Sequence, residues 1–180
     1  GAGDTAIFDG SDTDGVTLTG NVSVAVLTMQ AGYTGANAKL DANGSDITTT
    51  STLTITGGEL ELDASSDLTV GGALTVNGGL LDGASGTIDA NSSVTISSGT
   101  LIAPSGNFNV AGDFAHSIGA TFTNSSGTVT FDSSATAVIS GDTTFNNLTC
   151  STAGKQLTFT AGTTQTVAGT LTLTGAPGNL

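Results

Sequence analysis

The chain has 180 residues, 27 of them Gly, with no Trp and no Arg, and Ser plus Thr make up nearly a third of it. Fifteen acids against two bases, Lys39 and Lys155, give a formal net charge of −13 at pH 7. A surface of that sign repels phosphate backbones and anionic bilayers, which excludes nucleic acid and anionic membranes as partners.

The hydrophobic share is 37%, mostly Val, Leu, Ile and Phe alternating with polar residues. That alternation predicts strands and sets the chain apart from disordered Gly/Ser-rich sequences. No apolar run reaches the roughly 20 residues of a membrane-spanning helix, so membrane insertion is not expected. No signal-peptide pattern is present, and Gly1 suits a processed terminus or an excised fragment. Cys150 is the single cysteine, which rules out an internal disulfide and suggests a small core residue.

The first unusual stretch is Asp9-Gly10-Ser11-Asp12-Thr13-Asp14-Gly15. Asp9, Asp12 and Asp14 are calcium candidates, because hard cations take oxygen ligands. Counting back from Gly15 puts Gly10, not an acid, at the first ligand position, so a solvated turn competes with that reading. Residues 16–29 (VTLTGNVSVAVLTM) read as an early turn of a repeat, and residues 1–44 as less regular N-terminal turns.

From residue 45 the chain aligns with itself. Residues 65–84, 85–104 and 105–124 superpose without gaps at a period of 20, and residues 45–64 join them at an offset of 21. One column holds Leu68, Ile88 and Phe108, and the next holds Val70, Ala90 and Val110. A third holds Leu74, Val94 and Phe114, and a fourth Val76, Ile96 and His116. Leu81 and Leu101 continue the pattern, with Phe122 displaced by one. Gly58, Gly79, Gly99 and Gly119 recur where a bend with positive φ is expected, which Gly adopts without a Cβ clash. Val129 and Phe131 restart the pattern, as do Leu157 and Phe159 within the longer C-terminal turns of residues 125–180.

A unit of 20 residues holds three short strands and three bends. Like residues in fixed columns are explained by stacking each turn on the last, about 4.8 Å apart. An antiparallel meander has no reason to keep that register, although Asn43-Gly44 and Asn77-Gly78 resemble hairpin turns. The predicted fold is therefore all-β, one parallel β-solenoid domain over residues 1–180. We expect a right-handed, three-faced β-helix of seven or eight turns, with regular repeats over 45–124.

Charge placement agrees with stacking. Asp67, Asp89 and Asp113 share columns with uncharged residues through the three central turns, avoiding like-charge ladders. At the offset of 21, Asp46 falls over Asp67 and Glu61 over Asp82, which makes these four acids further calcium candidates. The competing reading is solvated surface acids in a slightly different local register.

Catalytic constellations are sparse. Glu59 and Glu61 alternate on one strand and face the same side, with Asp41, Asp63 and Asp82 as possible neighbours for glycoside chemistry. There is no Trp and only Tyr33 besides Phe to platform a sugar, and His116 falls in a core column. Gly71-Gly72 and Gly78-Gly79 lack the Lys and following helix of a phosphate loop. No enzymatic activity and no bound cofactor are expected. Thr-x-Thr triplets such as Thr52/Thr54/Thr56 and Thr170/Thr172/Thr174 suggest an ice-binding array, but the central turns interrupt it. Sequons at Asn21, Asn43, Asn91, Asn124 and Asn147 permit glycosylation.

The runs Leu68-Thr69-Val70-Gly71-Gly72-Ala73-Leu74-Thr75-Val76 and Gly79-Leu80-Leu81 resemble the β-helical shafts of filamentous-haemagglutinin-like and autotransporter adhesins. Residues 127–175 resemble repeats of very large secreted or surface proteins of bacteria. The resemblance spans about residues 45–180. It implies an extracellular or cell-surface structural protein, a shaft or fibre, and it carries no catalytic residues. Neither end shows a capping helix, so we expect the ends to stack on another copy or on further chain. A glycan- or surface-binding adhesin is the second expectation, and a polysaccharide-active enzyme the third.

Overall fold

The computed structural model describes residues 1, 3–11 and 14–174; Asp12 and residues 175–180 lie outside the described residues. In chain order, β1 (Thr5–Phe8) and β2 (Val16–Thr17) form a partial first turn. Next come β3 (Val22–Val24), β4 (Val26–Met29) and β5 (Lys39–Asp41), then β6 (Ile47–Thr49), β7 (Leu53–Ile55) and β8 (Glu59–Glu61). The regular middle contains β9 (Asp67–Val70), β10 (Leu74–Asp82), β11 (Thr87–Ala90) and β12 (Val94–Ile102). It is followed by β13 (Asn107–Val110), β14 (Phe114–His116) and β15 (Thr121–Thr123). The last elements are β16 (Thr128–Phe131), β17 (Ala137–Ser140), β18 (Thr143–Phe145), β19 (Asn147–Cys150), β20 (Leu157–Phe159), β21 (Gln165–Val167) and β22 (Leu171–Leu173).

Every pairing is parallel, as a solenoid requires. The first face is the eight-stranded sheet from β3 to β22. The second runs from β1 through β4, β7, β10, β12, β14 and β17 to β20. The third contains β2, β5, β8, the far halves of β10 and β12, and β15, with β18 and β21 as a separate pair beyond. Because β10 and β12 bend through two faces, the second and third faces share one hydrogen-bonded sheet. The fold is thus a three-faced parallel β-solenoid of about eight turns.

The sequence columns are the interior. Leu68, Ile88 and Phe108 stand opposite one another, as do Val70, Ala90 and Val110. Leu74, Val94 and Phe114 form a second-face column, flanked by Val76 and Ile96. All eleven are at most 1% exposed. Removing each from water contributes about 1.5–3 kcal/mol before ordering costs are set against it. The outward residues between them, such as Thr54, Thr75 and Thr95, keep contact with solvent and line up along the axis. Leu101 pairs with Phe122, one residue beyond the period, as expected.

The register loosens outside this stretch. Val22 lies opposite Ile47, and Leu27 opposite Leu53, because residues 30–38 loop out between β4 and β5. Val129 and Phe131 continue the columns of Phe108 and Val110. Leu148 takes the next first-face position, whereas Leu157 and Phe159 restart the pattern on the second face, opposite Ala137 and Ile139.

One glycine expectation is corrected. Gly58, Gly99 and Gly119 have φ of 63°, 73° and 91°, but the positive φ near the third bend belongs to Gly78 (136°), not Gly79. Gly79 lies within β10, where the ladder slips: Asn77 pairs with Ser98 and Leu80 with Thr100. Gly79 is required for space instead, since a Cβ there would lie 2.6 Å from Ile55 Cγ2 and 2.8 Å from the Gly57 carbonyl oxygen.

Candidate functional site

The loops preceding β2 and β5 wall a cleft of about 700 Å³ on the third face, lined by Val16, Thr17, Asn37, Lys39, Asp41 and Glu59 among others. The wall is positioned by Tyr33, which is 1% exposed and packs against Phe8 with ring centroids 5.4 Å apart. Its hydroxyl lies 3.2 Å from the Asp14 carbonyl oxygen and 3.1 Å from that of Lys39. Tyr33 is therefore a strut inside the wall and offers no platform for a sugar ring.

The charged residues beside this cleft form a column. Asp41 pairs with Glu61, and Glu61 with Asp82, on three successive turns, with Leu40, Leu60 and Leu81 buried behind them. Glu59 and Glu61 do face one side, with Leu60 turned inward between them. Lys39 donates to Glu61 and stands 3.9 Å from Asp41. The bond to Glu61 raises the Lys39 ammonium above its ordinary value. Burial, reinforced by the Glu61 carboxylate, pushes Glu59 above the usual glutamate range. Lys39 was not singled out from the sequence, because its partner is set by lateral stacking and not by spacing along the chain.

Four of the calcium candidates, Asp9, Asp46, Glu61 and Asp82, accept from protein donors. Asp9 accepts from the backbone N–H of Ser11 at 2.9 Å and from its hydroxyl, which holds its carboxyl below the usual range. Asp46 accepts from the Asn21 amide at 2.9 Å and from the Asp67 backbone N–H at 3.1 Å. Asp46 and Asp67 are therefore tied through a main-chain donor. Asp82 accepts from the Ala84 N–H at 2.8 Å, and Glu61 is paired with Lys39. Asp14 is near Tyr33 through its carbonyl, and Asp12 lies outside the described residues. Among the described residues no group of three or more His, Cys, Asp or Glu side chains is arranged to hold a metal ion.

His116 lies opposite Ile96, as its column predicts, and is half-buried. Its Nδ1 is 2.8 Å from the Asp142 carbonyl oxygen and its Nε2 is 3.1 Å from that of Ala120. A neutral imidazole has one N–H, so it donates to one of these carbonyls at a time. Donation from Nδ1 ties β14 to the next turn, and donation from Nε2 closes the loop after β14 on itself. Lys155 has a comparable role: it donates to the Ala111 carbonyl at 2.9 Å and lies 5.6 Å from the Phe131 ring centroid. Burial lowers its ammonium and raises the thiol of Cys150, a core residue at 8% exposure. Asn147, one of the sequon residues, uses its side chain between turns, accepting from the Thr170 N–H at 2.8 Å.

The second distinctive region is the last described turn. The inward positions Phe159, Leu171 and Leu173 are 47%, 52% and 47% exposed, although their columns are buried one turn earlier at Ile139, Leu148 and Cys150. Among the described residues, strands β20, β21 and β22 each have a single neighbour, as do β1, β2 and β3. Compared with known proteins, the chain matches no family model, no curated protein and no solved structure.

Proposed function

We propose that this chain is a structural segment of an extracellular or cell-surface shaft, lengthened by stacking of solenoid ends. The observation that carries this reading is the unbroken parallel stack itself, whose buried columns of Leu, Val, Ile and Phe run on from turn to turn. Open parallel edges template further pairing, and solenoids bury their last apolar row only against another turn. The likeness of residues 45–180 to adhesin shafts supports the location, and we assign the chain no catalysis. Electron microscopy and sedimentation of the purified chain over a concentration series test the reading. Rods that lengthen with concentration are expected; monodisperse monomers at high concentration, or sugar release from acidic polysaccharides, would overturn it.

A second reading, a glycan-binding module, is favoured by the cleft with Asn37, Lys39, Asp41 and Glu59 in its wall. Small-ligand sites are concave with a few convergent polar groups. Selective retention on a glycan array, lost in Lys39→Met, would establish it; no retention would remove it.

A further inference from the structure

We propose that the cleft on the third face binds a glycan carrying free amino groups, with one sugar ammonium seated against Glu59. This rests on the second reading above, a glycan in this cleft, and names the class of sugar.

The cleft lies within the stack and not at an end of it. Its floor is carried by β5, β8 and β10, and each of these strands is paired on both sides. Its wall is the loop of residues 30–38, fastened at Tyr33 and Ala38, which are 1% and 5% exposed. Between those anchors Thr34, Gly35, Ala36 and Asn37 are exposed and line the opening. The volume of about 700 Å³ falls within the roughly 300–1,000 Å³ of small-ligand sites.

Charge selects the ligand. Asp41, Glu59, Glu61 and Asp82 face outward on these three strands, and Lys39 is the one cation among them. Lys39 is already engaged, donating to Glu61 and standing 3.9 Å from Asp41. Glu59, its direct partner in the ladder, is left without that bond. Burial holds the Glu59 carboxyl above its usual range, with the Glu61, Asp82 and Asp41 carboxylates adding to the effect and Lys39 opposing it. A cation beside Glu59 relieves this repulsion and donates a charge-assisted hydrogen bond. Uronic and sulfated sugars bring the wrong sign, and a neutral sugar leaves the excess of carboxylate unmet.

The remaining groups suit a sugar. Asn37 and Thr34 offer an amide and a hydroxyl to ring hydroxyls, and Leu80, opposite Glu59 on the next turn, offers half-buried apolar ground to a C–H face. Asp41, Glu61 and Asp82 follow one another along the axis, about 4.8 Å apart. A linear amino glycan that enters the cleft therefore meets a further acid on each turn it crosses.

Calorimetric titration of the full chain tests this, at low salt and about pH 6, where amines are protonated. The titrants are a glucosamine oligomer, the same oligomer N-acetylated, a neutral glucose oligomer and spermidine. The glucosamine oligomer is expected to bind, and the acetylated one to bind at least about tenfold more weakly, the scale of a lost hydrogen bond to a charged group. Glu59→Gln should bring a similar loss, and Asp89→Asn, on the first face, none. Equal binding of the acetylated or neutral oligomer would overturn the amine while leaving a glycan in the cleft. Spermidine binding as tightly as the glucosamine oligomer would overturn the sugar and leave an ammonium site. Binding that is indifferent to Glu59→Gln, or equally weakened by Asp89→Asn, would overturn the placement in favour of general attraction to an acidic chain. No binding of any oligomer would overturn this inference and the glycan reading together.

Discussion

Lys39 donates its hydrogen bond to Glu61, the residue diagonal to it on the next turn, although Glu59 is its direct partner in the strand ladder. The diagonal choice places one ammonium between Asp41 and Glu61, two of the three acids in the Asp41, Glu61, Asp82 column. It leaves Glu59 with partial burial and a carboxylate neighbour.

Lys39→Met is expected to lower stability by about 0.5–1 kcal/mol, the scale of a partly exposed ion pair. The loss should shrink as salt screens the column. Denaturant midpoints at low and high ionic strength check this; a loss that is independent of salt would show that the lysine stem matters and its charge does not.

Glu59 and Asp63 should pull stability in opposite directions with pH. The folded chain holds the Glu59 proton more tightly than the unfolded chain, because burial raises its pKa. Its stabilising contribution is therefore present below the ordinary glutamate value and lost as pH rises through the raised folded value. Asp63 is lowered by the N–H of Ser65, so its contribution is present above the ordinary aspartate value and lost as pH falls through the lowered folded value. Thermal midpoints measured from about pH 3 to pH 7 should rise at neutral pH in Glu59→Gln and fall in Asp63→Asn. Both differences should shrink on acidification, that of Asp63→Asn at lower pH than that of Glu59→Gln.

Phe114 sits at the centre of an aromatic cluster, with Phe122 at 5.2 Å, Phe145 at 5.5 Å and Phe108 at 6.3 Å between ring centroids. It is fully buried and ties all three faces together. Phe114→Ala should cost about 3–5 kcal/mol and Phe114→Leu clearly less. Chemical denaturation distinguishes them.

Two glycines with similar φ should behave differently. At Gly119 (φ 91°) an added Cβ meets nothing within 4 Å, so alanine should cost only the roughly 1–2 kcal/mol of the backbone conformation. At Gly141 (φ 81°) the Cβ would lie 1.6 Å from the His116 carbonyl oxygen, so the turns must separate. Gly141→Ala should lower the melting temperature far more than Gly119→Ala.

The columns from Ile47 to Phe122 were legible because a parallel stack repeats each residue's surroundings at a fixed interval, and the sequence repeats with it. The acid column was partly legible: Glu61 over Asp82 follows from the period, while Asp41 joins it through the turn before. What stayed hidden lacks a period. Residues 30–38 loop out once, so nothing in the repeat announced the cleft or the strut role of Tyr33. The slip at Asn77 moves the left-handed residue from Gly79 to Gly78, a displacement smaller than any alignment of three turns resolves. The diagonal bond of Lys39 depends on side-chain reach between turns, which spacing along the chain does not encode.

Because each strand pairs only with the turn before and the turn after, length and stability are local quantities here. Along its axis the regular stretch advances about 4.8 Å for 20 residues, or about 0.24 Å per residue. In-frame duplication of residues 85–104 would add one such step while presenting each neighbour with columns it already accommodates. The molecule can therefore be lengthened by copying, with no new contact to be invented, and a break at one turn leaves the distant turns standing.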